Sequence, residues 1–452
     1  MKLKRTIAFT LAASMICISL AACGKGTENS TAKTDETATT TEGETASEKT
    51  QEKEASGEPQ TLSITTWDYD TTPQFSAIVK AYEEKNPNVK INVIDTAAGE
   101  YNDSLGISLS AAQGDPDVIF VKDMGSLLQM ADKKQLMTLD EMITTDNVDL
   151  SVYSGAAEQL KYNDATYALP YRNDWYVLYY NKDIFDAAGV EYPSNDMTWP
   201  EYWDLVAKMT SGEGSSKIYG GHNHTWSALA TNWAVQDGAN TVVSKDYSFF
   251  KPWLEKTVEL QEKGYIQDYS TLKTANIHYS SVFKNQQCAT MPMGTWFIAT
   301  MMQAQTDGET DFNWGVATIP HPENTEAGYT VGALTPVGIS AYTDQKELAW
   351  DFVKFATSSD AANILAQNGV LTGIQTEESM NTIASAEFFP EGESNKEALK
   401  YTHYVFDRPL DPQIEEIRKP IDETYEMIMI KAYTVDEGIA EIDKRVAEIK
   451  GW

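Results

Sequence analysis

The chain changes texture twice. Residues 1–22 hold one apolar run, Ile7 to Leu20, residues 24–59 hold almost nothing large and apolar, and from Leu62 onward apolar and polar positions alternate with regular periods. Leu62-Ser-Ile64-Thr-Thr66-Trp67 predicts a strand, and Phe75, Ile78, Val79 and Tyr82 recur at helical spacing between Pro73 and Asn86. Asn86-Pro87-Asn88 stops that helix. Val89 to Ile94 alternates as a second strand, Tyr101 to Ala112 predicts another helix, and Asp117 to Val121 a short third strand. Strand, helix, strand, helix, strand predicts a parallel sheet with crossover helices, an α/β fold. Ligands of such open sheets sit beyond the carboxyl ends of the strands. That singles out Trp67 and Asp68 after the first strand, and Lys122 and Asp123 after the third.

Farther on, Ala168-Leu-Pro170-Tyr171-Arg172 leads into the aromatic strand Trp175-Tyr-Val-Leu-Tyr-Tyr180. Thr198-Trp-Pro200-Glu201 opens a helix with a capping threonine, an early proline and a glutamate three residues on. Met291-Pro-Met-Gly294-Thr295-Trp296 is a strand end that turns at a glycine into a helical stretch, Phe297 to Gln303. Trp314 to Pro320 is a further strand. Asp344-x-x-Glu347 caps a helix carrying Leu348, Phe352 and Phe355, and Thr434-x-x-Glu437 caps a last one carrying Ile439, Ile442, Val446 and Ile449.

The apolar run at the start follows Lys2, Lys4 and Arg5 and ends in Leu20-Ala21-Ala22-Cys23, the make-up of a secretory signal peptide over residues 1–22. It is shorter than the ~20 residues that span a bilayer, and Thr10, Ser14 and Ser19 interrupt it. Small residues ahead of Cys23 resemble the bacterial lipobox, which implies cleavage before Cys23, diacylglycerol on its sulfur and acylation, as by palmitate, of the new amino terminus. The expected location is the extracellular face of the cell membrane, held by lipid alone. Residues 23–59 are then the lipidated cysteine and a disordered acidic tether, too poor in apolar groups to offset the entropy of ordering. Such a tether points to a thick-walled, Gram-positive surface.

The remainder exceeds the ~250–300 residues at which single cores stop growing, so two lobes are expected. Of three cysteines, Cys17 leaves with the leader and Cys23 is lipidated, so no disulfide can form within the mature monomer. Cys288 reads as a buried strand residue. A formal charge of -32, more negative once the basic leader leaves, argues against nucleic-acid partners and direct adhesion to anionic lipid.

Ala168 to Tyr171 followed by Leu178-Tyr-Tyr-Asn181-Lys182-Asp183, then Met293 to Trp296, Gly315 to Pro320, and Gly338 to Ala349 come in an order that resembles the extracellular solute-binding proteins of ATP-driven (ABC) importers. The branch is the sugar-binding one typified by maltose-binding protein. The resemblance implies a two-lobed periplasmic-binding-protein-like fold of type II, each lobe a mostly parallel sheet flanked by helices and joined by hinge strands. Lobe one would be 60–172 with 319–369, and lobe two 173–318 with 370–452. It implies a carbohydrate, an oligosaccharide, as ligand, a membrane permease as partner, and a monomer with no cofactor or metal.

Sugar rings need flat apolar faces for their C–H side and carboxylates or amides for their hydroxyls. By the resemblance, Trp296 after Gly294 is the stacking tryptophan, and Asp123 and Asp174 are hydroxyl-binding carboxylates. Trp67 and Asp68 lie at the same cleft edge, Arg172 and Trp175 flank the hinge, where Trp175 equally suits the start of the buried strand, His222 and Trp226 belong to a polar and aromatic loop suited to the cleft wall, and Arg408 lies where the family often adds a contact. His222-x-His224 lacks a third ligand at metal spacing. Two alternatives stay open: a solute such as a polyamine on the same fold, or a surface-anchored glycoside-active enzyme. The enzyme would need two carboxyls ~5–9.5 Å apart across a glycosidic bond. Asp115 and Asp117 lie at the wrong end of their strand for that, and Gly-x-Ser-x-Gly, His-Glu-x-x-His and phosphate loops are absent.

Overall fold

The computed structural model describes residues 59–153 and 155–452. The expected leader, Cys23 and the expected tether, up to Glu58, lie outside the described residues. The strands are β1 (Gln60–Trp67), β2 (Val89–Thr96), β3 (Val118–Phe120), β4 (Lys161–Tyr162), β5 (Ala165–Thr166), β6 (Ala168–Asn181), β7 (Tyr219–Gly221), β8 (Cys288–Gly294), β9 (Trp314–Thr318), β10 (Tyr329–Ile339) and β11 (His403–Phe406). Apart from the small β4–β5 ladder they join in one sheet, ordered β2-β1-β3-β10-β6-β8-β7, with β11 beside β10 and β9 beside β6.

The opening pattern folds as its periods dictate. β1 pairs in parallel with β2 and β3, placing Leu62 opposite Ile91 and Ile64 opposite Val118. The helix Pro73–Lys85 buries Phe75, Ile78, Val79 and Tyr82 and ends at Asn86. Burying each such side chain contributes ~1.5–3 kcal/mol. With Phe120, Leu169, Val337, Phe352 and Leu365 these residues make one core, while Val177 to Tyr180, Phe297, Val316, Ile417, Ile421 and Ile442 make a second. The molecule is thus a two-lobed mixed α/β protein.

Two long strands carry the chain between the cores. β6 is buried along all 14 residues, with Leu169 and Tyr171 in the first core and Val177 to Tyr180 in the second. β10 runs antiparallel to it, setting Arg172 opposite Thr335, Asp174 opposite Ala333 and Trp175 opposite Gly332. Arg172 to Trp175 therefore occupy the crossing, where neither core claims the backbone alone.

The expected cap at Thr198 forms, its N–H bonded to Glu201 at 2.8 Å, and so does that at Thr434, bonded to Glu437 at 2.8 Å. The cap expected at Asp344 does not. The helix starts at Lys346 behind Gln345, because the Thr343 hydroxyl accepts the Gln345 N–H at 2.9 Å and anchors to Asp117 at 2.5 Å. Asp117 also accepts the Ser63 N–H at 2.8 Å, a structural duty at the amino end of the sheet. Cys288 is fully buried in β8, and burial pushes its thiol far up. Among the described residues no helix is long and apolar enough to cross a membrane.

Candidate functional site

β8 delivers the chain to the crossing. Its last residue, Gly294, has no room for a side chain: a Cβ there would lie 2.0 Å from the Trp296 ring, which folds back over the strand end. Trp296 starts the helix Trp296–Thr306 half-buried, edge-on to Tyr176 at 5.6 Å and 6.4 Å from Trp226. Trp226, 37% exposed, precedes the short helix Ala228–Thr231. Tyr279 stands 5.4 Å from Trp226, His224 4.7 Å from it, and His278 4.1 Å from Tyr279. Together they form an aromatic wall with partly open faces.

Polar groups border this wall. Asp174 accepts the Thr295 hydroxyl at 2.9 Å through one carboxylate oxygen. Its other oxygen lies 2.7 Å from Arg172 Nε but off hydrogen-bond geometry. Burial pushes this carboxyl up, with Arg172 and Thr295 pulling against it. Arg418 donates from Nη2 to Ser227 at 3.2 Å and Asp422 at 3.4 Å, while its Nε and Nη1 have no hydrogen-bond partner among the described residues. Neither does the amide of the buried Asn232. Asp68, just past β1, sits in the left-handed region at φ 51°, accepts the Ala98 N–H at 2.9 Å, and raises His278 against the depression that burial imposes. The first core thus presents a carboxylate to the wall of the second.

The imidazoles beneath the wall are neutral at ordinary pH. Burial lowers His222 to about 4 and His224 to about 3. Among the described residues no group of three or more His, Cys, Asp or Glu could hold a metal ion.

A charged junction closes one end of the crossing. Asp123 caps the helix Met124–Asp132 by accepting the Ser126 N–H at 2.8 Å, and it receives Asn102 at 2.9 Å and Arg408 Nη1 at 2.9 Å. Burial would raise its carboxyl, but Arg408 and these hydrogen bonds outweigh it and hold it low. The same Nη1 donates to Glu415 at 2.8 Å.

The structure brings Asp68, Arg172, Asp174, Trp226, Gly294 and Trp296 to the wall, and Asp123 and Arg408 to the junction. It does not bring Trp67, Trp175 or His222 to an open surface. Trp67, 7% exposed, packs edge-on against Phe75 at 4.9 Å and Tyr101 at 5.0 Å, because the last residue of β1 still points into the first core. Trp175, 1% exposed, lies against Tyr401 at 4.9 Å as the first ring of the second core. His222 is fully buried under His224. Tyr279, Arg418, Asn232 and Glu415 escaped the sequence reading. Arg418 had a signal, since it interrupts the apolar face that Ile414, Ile417, Ile421 and Tyr425 form on one helix. An open hollow of about 790 Å³ beside the helix Glu377–Ala384 lies elsewhere, lined by Glu377, Glu378, Glu387 and amides with no aromatic ring.

Residues 69–363 match the family of bacterial extracellular solute-binding proteins, and the chain belongs to that family. That family is one of solute-binding proteins rather than of enzymes. It is similar to the sn-glycerol-3-phosphate-binding periplasmic protein of Agrobacterium fabrum, 32% identical over 158 residues, which are 30% of this chain and 35% of that one. The chain therefore spans about a third of that relative's length. It is also similar to the arabinooligosaccharide-binding protein of Bacillus subtilis, 25% identical over 69% of this chain and 72% of that one. Among solved structures, an open-conformation sugar transporter protein of Rhizobium etli aligns with a TM-score of 0.71 and 34% identity, over 85% of this chain and 98% of that one.

Proposed function

We propose that the chain captures a carbohydrate, an oligosaccharide, between its lobes and delivers it to the membrane permease of an ABC importer. The observation that carries this reading is the meeting of partly open rings on Trp226 and Trp296, backed by the buried Tyr279, with buried polar groups whose bonding capacity is unspent. The C–H face of a sugar stacks on such rings. Its hydroxyls satisfy the free N–H groups of Arg418 and the Asn232 amide, groups that are costly to leave unpaired, and approach the Asp174 oxygen that pairs with Arg172. Asp68 supplies an acceptor from the opposite lobe, and Arg172 orients Asp174. Gly294 gives Trp296 its place. Arg408 and Asp123 border the ligand at the junction. The sugar-related names of the Bacillus subtilis relative and the Rhizobium etli neighbour support the same reading.

The lobes of this reading are 60–172 with 319–369 and 173–318 with 370–452, changing over at the crossing of β6 and β10. Cleavage before Cys23 and lipid on its sulfur would anchor a monomer at the outer membrane face, with residues 24–59 as tether. A phosphorylated polyol is the second reading, favoured by the free guanidinium edges of Arg418.

The test is a thermal-shift screen of the chain from Leu62 onward against mono- and oligosaccharides, sn-glycerol 3-phosphate and polyamines. A ligand at 100 times its Kd stabilises by about 2.7 kcal/mol. Shifts confined to sugars, with the sugar recovered unaltered, support the proposal; a shift with the phosphate alone moves the assignment to the second reading, and one with amines alone rejects both.

A further inference from the structure

Asp123 and Glu415 belong to different cores and meet at their helix starts. Met124 and Leu127, which follow Asp123, lie in the first core, while Ile414 and Ile417, which flank Glu415, lie in the second. The approach is close enough to require Gly125: a Cβ there would fall 2.2 Å from Ile414 Cγ2 and 2.8 Å from Glu415 Oε1. Within this contact one guanidinium nitrogen, Arg408 Nη1, serves both carboxyl groups, at 2.9 Å and 2.8 Å. Drawn to one nitrogen, the two carboxyl groups stand as close neighbours on either side of it. Two ionised carboxylates at that spacing repel, whereas one proton between them turns repulsion into a hydrogen bond.

We propose that Glu415 is a positioning residue that shares one proton with Asp123, and that this proton latches the two lobes together around Arg408. The latch goes beyond solute capture and holds whichever solute binds.

The surroundings fix which carboxyl carries the proton. Asp123 has the Ser126 N–H, the Asn102 amide and Arg408, all of which favour its ionised form. Glu415 has burial and the Asp123 charge against ionisation, opposed by Arg408, by Arg418 on its own helix and by Lys122 at the end of β3. Burial and Asp123 prevail and push Glu415 up to about 7. Asp407, raised by burial, faces Arg408 from the same segment and draws on the same positive charge. If the helix starts part, Glu415 loses Asp123 and returns toward its ordinary value of 4.5, releasing the proton. Opening is therefore favoured by rising pH between those two values, and indifferent to pH outside them.

Hydrogen-exchange mass spectrometry of the full chain without added solute, from pH 5 to 8 and corrected for intrinsic rates, reads this directly. Peptides covering 122–132 and 403–417 are followed, with the helix Val435–Lys450 as internal reference. The expected result is an opening constant for both peptides that rises up to about tenfold per pH unit toward pH 7 and then levels. In Glu415→Gln, which cannot ionise and whose amide can still donate to Asp123, exchange should stay slow and flat. PH-independent exchange in the unaltered protein overturns the proposal. So does a Glu415→Gln protein that keeps the slope while exchanging faster at every pH, since that is what a packing role alone produces.

Discussion

At the junction, Asp123 accepts from Ser126 and Asn102 and pairs with Arg408, whose one nitrogen is divided between two carboxyl groups. At the aromatic wall, Arg418 leaves Nε and Nη1 without a partner and Asn232 leaves its whole amide so. Both regions are buried, polar and set beside the same crossing strands, yet one has spent its bonding capacity internally and the other has kept it. A spent network holds elements together; an unspent one is costly until a solute completes it. The two also answer acid oppositely. The junction takes up a proton at Glu415, while the wall rests on imidazoles that stay neutral only because they are buried.

The largest way to break this contrast is Asp123→Ala. It strips Arg408 and Glu415 of their partner and removes a helix cap, and should cost roughly 3–5 kcal/mol in a urea unfolding curve. A loss under ~1 kcal/mol would mean that the junction binds nothing together. Arg418→Met inverts the expectation. Unfolding should be unaffected or slightly delayed, while calorimetric titration with the sugar giving the largest thermal shift should lose about 1.5–3 kcal/mol; unchanged affinity would take Arg418 out of the site. Trp296→Ala should cost about 1–3 kcal/mol of the same affinity through lost contact and stacking, with the melting curve of the unliganded protein retained.

The effect that is smallest near neutral pH, and grows only in acid, lies in the pH dependence of stability. His222 and His224 have folded values of about 4 and about 3 against an ordinary 6.5. Their contribution is complete above pH 6.5 and is lost as pH falls below it, by roughly 1.4 kcal/mol per unit for each histidine until the folded value is reached. Replacing both with Gln should flatten that limb of the stability profile; an unchanged acid limb would place the sensitivity elsewhere.

The first strands and helix were legible because their signals are local: Leu62, Ile64, Phe75 and Ile78 declare period and burial within a dozen residues. So were the boxes at Thr198 and Thr434, whereas Asp344 lost its cap to Thr343, which is tied to Asp117, a residue more than 200 positions away in the chain. Trp226 and Trp296 could be read because each sits in a loop or turn beside glycine or histidine. Trp67 and Trp175 looked equivalent, but a tryptophan at a strand end turns inward or outward according to packing that local pattern does not record. Asp123 and Arg408 are both legible in the sequence, but their meeting, and Glu415 with them, is not. Arg408 and Glu415 reach Asp123 only once the β10–β11 pairing brings the last fifty residues back beside the first core.

Gly294 has one more consequence, in optics. With the Trp296 indole lodged where a side chain at 294 would stand, and Trp226 6.4 Å away at 56°, two indoles are held in a fixed, skewed relation. Chromophores so arranged couple their transitions, giving a near-ultraviolet circular dichroism signal that neither would give alone. If a solute slides against either ring as proposed, it would change that signal, giving a reporter of occupancy that needs no label.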